Sequence, residues 1–298
     1  LIEALLKLNG FDPNAKNEKG QSALHIAAAN GDASVVKLVS SLPGFEPKKC
    51  IKDNSGAVPA SLAIVANKSH AIEVLDALAQ LDGFDANAQD NGRWTLVHDA
   101  ACKQNSDAIQ WLGSHGTLTQ DTMYSWDRDG QTSIFWAGEK KDAKSMQAIL
   151  DIDGYSFLEQ VRRIRHPETG SRIPCRWPLI NAISENAHEL IRKVAEHLRA
   201  RGEATPEIIA EVFDAELPCM PGDAAGTLMQ KAVQLGSLDC IVELYLAGAA
   251  TSIYDLLPAI VGPKHVPRLA KECCEAVRAR FLADFGEGAV AIESVEVN

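Results

Sequence analysis

A basic excess, long apolar runs and paired cysteines are all missing from this chain of 298 residues. With 29 lysines and arginines against 40 aspartates and glutamates, the formal net charge is -11. That balance excludes general nucleic acid binding, which needs a basic face to neutralise phosphates. No apolar run reaches the roughly 18 residues that would read as a membrane span. Nor do the first residues form a signal sequence, because Glu3, Lys7 and Asn9 interrupt their apolar character. The 7 cysteines are odd in number and contain no CxxC pair, so neither a disulfide framework nor a zinc ribbon is expected. A reducing, intracellular compartment, cytoplasm or nucleus, fits that usage. Aromatic residues are only 6% of the chain, which argues for helices packed through small side chains.

What is present is a recurring unit. In Gly20 to Leu42, GQSALHIAAANGDASVVKLVSSL, the residues Leu24, Ala27 and Ala28 share one face of a short helix that Asn30 and Gly31 end. A second helix follows, with Val35, Val36, Leu38, Val39 and Leu42 as its apolar stripe and Pro43 and Gly44 as its stop. Equivalents of Ala27 recur at Ala63, Ala100, Ala137, Ala182 and Ala232. Nine residues after each stands an apolar side chain (Val36, Ile72, Ile109, Met146, Ile191, Ile241), and twelve residues after, another (Val39, Leu75, Leu112, Ile149, Val194, Leu244). Helices this short cannot bury their faces alone, so the copies must stack.

The unit resembles the ankyrin repeat, whose consensus runs G-x-TPLHxAAxxGxxxVVxLLLxxGADVNAxD. Ser22, Leu24, His25, Ala27, Ala28, Gly31, Val35, Val36 and Leu38 match it, as do Thr95, His98, Ala100 and Ala101 in the third copy. Asp12, Asn14, Ala15 and again Asp85, Asn87, Ala88 match its DVNA element. The resemblance implies an all-α, ankyrin-type helical solenoid of about six repeats with short β-hairpin-like fingers and a C-terminal helical cap. It also implies that His25 with Ser22, and His98 with Thr95, are structural hydrogen-bonding pairs.

The expected organisation has three parts. Residues 1–150 hold the regular repeats and begin mid-repeat, since residues 1–11 superimpose on 35–45; a region preceding Leu1 is therefore expected. Residues 151–250 hold degenerate repeats interrupted by a basic connection and by an extra helix that Thr205 caps and Pro206 opens. Residues 251–298 form the helical cap, helices over 252–261 and 266–285, and a tail.

No catalytic signature accompanies the repeats. His188 and Glu189 open an HExxH pattern, but Arg192 stands where the second histidine is needed. There is no phosphate loop, no GxSxG elbow and no paired aspartate motif, so no enzyme activity, cofactor or metal ion is expected. What the resemblance implies is recognition of a protein through the concave face made by fingers and first helices. The contact residues expected there are Asn17, Glu18, Lys19, Asn54, Asp90, Arg93, Trp94, Trp126, Arg128 and Asp129 on fingers, with Asn30, Lys103 and Lys140 on first helices. Trp111 and Trp136 are expected in the core. A basic patch of Arg162, Arg163, Arg165, Arg172 and Arg176 would suit an acidic or phosphorylated partner; alternatively Arg162, Arg163 and Arg165 line the solvent face of a connecting helix and meet the acidic neighbouring units. Two alternatives are a targeting arm for an enzyme, signalling protein or effector delivered to a host cell, with its active domain before Leu1, and a small-molecule or catalytic site around Arg165, His166, Arg172 and Cys175. Oligomeric state is not legible.

Overall fold

The first helices that open at Ala23, Leu96, Ser133 and Leu228 follow Ser22, Thr95, Thr132 and Thr227 in extended backbone, a residue type that can hold the free N–H groups of the first turn, whereas the one that opens at Pro59 follows Val58. Helix α1 (Ala23–Ala29) follows Ser22, and α2 (Ala33–Ser40) follows Asp32, whose carboxylate accepts from Ser34 N at 3.0 Å and Val35 N at 3.1 Å. A 3-10 turn (Pro47–Cys50) leads to α3 (Pro59–Ala66) and α4 (Ala71–Ala79). Thr95 caps α5 (Leu96–Cys102), which is followed by α6 (Ser106–His115) and the single turn α7 (Gln120–Met123). Thr132 then caps α8 (Ser133–Glu139), and α9 (Ala143–Leu150) completes the fourth pair. The computed structural model describes residues 12–66, 69–115, 118–165, 179–214, 227–248 and 275–276.

The chain divides into two compact units, one holding residues 1–140 and 144–155, the other 141–143 and 156–298. In the first unit α1, α3, α5 and α8 pack side by side in one layer, and α2, α4 and α6 pack in another. Single antiparallel bridges, Lys16 with Ser22, Gln89 with Thr95 and Trp126 with Thr132, close the hairpin-like fingers between pairs. No longer strand occurs among the described residues.

Ala27, Ala63, Ala100 and Ala137 lie where the first helices touch, and the last three have no solvent exposure. A leucine at Ala100 has no room between α3 and α8, so Ala100→Leu is expected to destabilise the unit by about 2 kcal/mol through overpacking. Urea unfolding reads this directly, and an unchanged midpoint would mean that the layer is loose there.

Four stripe assignments need correction, Val35 and Leu42 being half-buried. Leu38 is 38% exposed, because two residues advance the helix by about 200° and turn it away from the buried Val36. Ile72 is half-buried, since α4 presents Ala71, Val74, Leu75 and Leu78 to the core instead.

The second unit holds α10 (Phe157–Arg165), α11 (Ile180–Ser184), α12 (His188–Ala200), α13 (Pro206–Ile209) running into a π-helical turn (Ala210–Asp214), α14 (Leu228–Leu235) and α15 (Leu238–Leu246). Helices α11 and α14 pack together, as do α12 and α15, around the fully buried Ala182, Ile191, Val194, Ala232, Ile241 and Leu244. The inserted helix begins as its sequence predicts. Thr205 caps it, Pro206 occupies its first turn, and Ile209, Val212 and Phe213 are buried. Residues 1–11 and the cap over 251–298 lie outside the described residues, apart from Glu275 and Ala276, which are helical.

Candidate functional site

Four fingers of the first unit share one internal device. In each, a side-chain Oδ1 accepts the backbone N–H groups two and four residues ahead: Asn17 from Lys19 and Gln21, Asp53 from Ser55 and Ala57, Asp90 from Gly92 and Trp94, and Asp127 from Asp129 and Gln131, all at 2.7–3.0 Å. Each finger is then tied to its neighbour. Asn54 N donates to Lys19 O at 3.0 Å, Asn91 N to Ser55 O at 2.9 Å and Arg128 N to Gly92 O at 3.1 Å. Ladders of this kind satisfy the loop backbone and leave little freedom to lose on binding.

Two buried histidines lock fingers to helices. His25 Nδ1 lies 3.2 Å from Ser22 N, and His98 Nδ1 lies 3.3 Å from Thr95 N. A backbone N–H can only donate, so Nδ1 is the acceptor and Nε2 carries the proton. That proton goes to the next finger, from His25 to Ala57 O and from His98 to Gln131 O, both at 3.2 Å. Burial in this apolar setting opposes the charged ring and holds His98 down to about 4, while His25 is lowered for the same reason. Both histidines are therefore neutral struts, as the resemblance implied.

Against this regular background the third and fourth fingers carry bulky side chains. Trp94 lies 5.0 Å from Trp136, ring centre to ring centre, with the rings tilted by 46°. Lys140 Nζ sits 5.5 Å from the centre of the Trp136 ring, and the Arg93 guanidinium 5.7 Å from that of Trp126. The Trp136 indole N–H donates to Asp127 Oδ2 at 3.1 Å, which fixes the ring from behind. Trp94, Trp126 and Trp136 all remain part-exposed. Trp136 is thus not in the core as expected from its place before the anchor alanine, whereas Trp111 is 5% exposed, as its stripe position predicts.

Arg93 also has an unusual backbone. The corresponding finger positions are Gly20, Gly56 and Gly130, at φ 75°, 83° and 73°, and Arg93 adopts φ 66° in their place. A non-glycine residue held there costs about 1 kcal/mol, and such strain gathers at ligand-binding positions. Aligning the four fingers would have exposed this from the sequence, since three have glycine where one has arginine.

The other expected contact residues fall around this cluster or away from it. Asn17, Glu18, Lys19, Asn54, Arg128, Asp129, Asn30 and Lys103 are exposed, and Lys140 is half-buried. Asn54 and Asp90 spend side-chain atoms on the fingers themselves, Asn54 Nδ2 donating to Glu18 O at 2.9 Å. In the second unit the Arg162 guanidinium forms a two-pronged pair with Glu211, both contacts 2.9 Å, and Arg163 meets Glu159 at 2.8 Å. These charges are engaged inside the unit. The side chain of Arg165 and the whole of His166, Arg172, Cys175 and Arg176 lie outside the described residues.

Arg192, at the broken HExxH position, binds Glu243 at 2.6 Å. Cys240 is buried against Ala182 O, and burial pushes its thiol up to about 12, so it stays protonated. Among the described residues no group of three or more His, Cys, Asp or Glu side chains could hold a metal ion, and no helix is long and apolar enough to cross a membrane.

Paired short helices, bridged fingers and histidine struts define an all-α stack of ankyrin-type repeats. Residues 1–90 match the family model for ankyrin repeats, in 3 copies. Among solved structures, the chain is similar to the ankyrin repeat domain of Bcl-3, described as a unique member of the IkappaB protein family. That likeness has 20% identity, covers 85% of this chain and 100% of the other, and gives a TM-score of 0.53. An ankyrin repeat domain from Acinetobacter baumannii matches at 20% identity over 76% of this chain and 98% of its own, with a TM-score of 0.50. At these identities the likeness is one of fold. Ankyrin repeats are a general protein-interaction module, and the fold is typically non-catalytic.

Proposed function

We propose that the first unit is a binding module for a protein partner, which it engages through Arg93, Trp94, Trp126, Trp136 and the neighbouring Lys103 and Lys140. The observation that carries this reading is Arg93. The finger gives up the glycine its backbone favours and presents a guanidinium beside a half-exposed indole. Arginine and tryptophan are the side chains most enriched at interface hot spots, and a stiff repeat surface presents them at little entropic cost.

Stability and binding should part company at this position. Arg93→Gly is expected to raise the unfolding free energy by about 1 kcal/mol, by relieving the left-handed backbone, while reducing partner capture. Capture is read by affinity pull-down of wild type beside Arg93→Gly and the Trp94→Ala, Trp136→Ala double variant, with melting curves for each. Undiminished capture by the folded double variant would remove the proposed surface.

A further inference from the structure

Three residues before the anchor alanines Ala27, Ala63, Ala100 and Ala137 stand Leu24, Ala60, Val97 and Ile134, all buried. The first, third and fourth repeats fill this core position with a branched aliphatic side chain, and the second supplies only a methyl group. Five residues before its anchor the second repeat departs again, with Val58 where Ser22, Thr95 and Thr132 bring hydroxyls to a helix start. Both departures border one hollow of about 50 Å³. At roughly 10–15 Å³ for each water-sized group, it has space for about four heavy atoms, the number in a leucine or isoleucine side chain.

Exposure grades along the hollow. Leu24, Val58, Ala60 and Leu78 are buried, Ile51, Leu81 and Phe84 are half-buried, and Asp82 and Asp85 at the edge are exposed. It is an apolar socket with an acidic mouth. Lys48 reaches Asp82 at 3.3 Å in an exposed pair, while Asp85 accepts from Asn87 N through Oδ1 at 2.8 Å and makes no ion pair among the described residues. We infer that the socket receives a leucine or isoleucine side chain of a protein partner, with a lysine or arginine beside it that meets Asp85. A polar end would exchange water for apolar walls, a tyrosine or tryptophan ring is too large, and an acidic neighbour would face both carboxylates. The socket shares no residue with the Arg93 and Trp94 surface, so this contact goes beyond the binding role argued above.

The test selects, from a displayed library of random peptides, those that bind the full chain but not its Ala60→Leu variant, in which the added side chain fills the socket from within. In contrast to Ala100→Leu, this variant should keep or raise the melting temperature, because a filled hollow restores contacts. The selected peptides should share a leucine or isoleucine with a lysine or arginine close by. Measured by calorimetry, one of them should lose about tenfold in affinity when its aliphatic residue is changed to alanine, and about as much against Ala60→Leu. Asp85→Asn keeps an oxygen for Asn87 N and removes the charge, so it should weaken the peptide about threefold. The Trp94→Ala, Trp136→Ala variant should bind it unchanged, which separates this contact from the other surface. Equal binding by Ala60→Leu or Asp85→Asn overturns the inference. So does a library that yields no peptide able to tell wild type from Ala60→Leu, or a lowered melting temperature for Ala60→Leu, which would mean that the position has no room for the side chain.

Discussion

His98→Ala is expected to lower the stability of the first unit by about 3 kcal/mol, a fall of roughly 6 to 12 °C in melting temperature for a unit of this size. The ring is fully buried, joins Thr95 to Gln131 O across two repeats, and lies 6.0 Å from the Trp94 ring. Truncation removes packing volume, takes one of two hydrogen bonds from Gln131 O, which keeps that from Asp127 N, and removes the His98 acceptor of the buried Thr95 N–H. Part of the effect is visible within the fold itself. The fourth repeat has Phe135 at the same position, equally buried, so volume is retained there while the hydrogen bonds are absent. His98→Phe should therefore lose less than His98→Ala, by the packing share of the effect. Thermal unfolding followed by circular dichroism gives both values, and a loss below about 1 kcal/mol for alanine would mean the ring is not a strut.

Asp99→Asn is expected to do the opposite, with a gain that grows from about pH 3.8 and is complete above about pH 7. Burial, with the Asp90 charge nearby, raises the Asp99 carboxyl to about 7, against the lowering effects of Ser61 and Lys103. The unfolded chain releases that proton near 3.8, so the group's favourable contribution is whole below that pH and is lost as pH rises to about 7. Asp99 is part-buried, so solvent screens its charge and the effect is about 2 kcal/mol. His98 has the reverse slope. Its pKa falls from 6.5 to about 4 on folding, so its contribution is whole above 6.5 and is lost as acid carries the pH down to about 4. In the wild type the two slopes oppose each other between about 4 and 6.5. The asparagine variant should thus be more stable by about 2 kcal/mol at pH 8, should lose most of that gain near pH 4, and should show a steeper decline in acid. Urea unfolding across that range decides it. A gain of the same size at every pH would assign the effect to something other than the carboxylate.

These two residues illustrate what was readable in advance. His98 follows from the pattern, because Thr95 and His98 repeat the Ser22 and His25 spacing that only a shared helix start explains. Asp99 carries no such signal. It is one more polar residue on a helix until folding sets Ser61 and Asp90 around it. Trp136 misled for a related reason. It precedes a buried alanine in the chain, but one residue is about 100° around a helix, and that turn brings it to Trp94 on the part-exposed side. For Arg162 and Arg163 the sequence leaves a partner-binding patch and engagement with acidic neighbours both open, because Glu211, the partner of the first, comes 49 residues later beyond the inserted helix.

The sequence by itself determined the repeating element: which alanines allow close approach, where each short helix starts and stops, and that no copy can bury its apolar face alone. Those are local matters, set by spacing, capping and turn chemistry within about 35 residues. Only the tertiary structure decided which polar side chains are engaged within the fold and which stay exposed. That depends on neighbours one or more repeats away, whose carbonyls, carboxylates and rings either satisfy a side chain, as with His98 and Arg162, or leave it exposed beside another, as with Arg93 and Trp126.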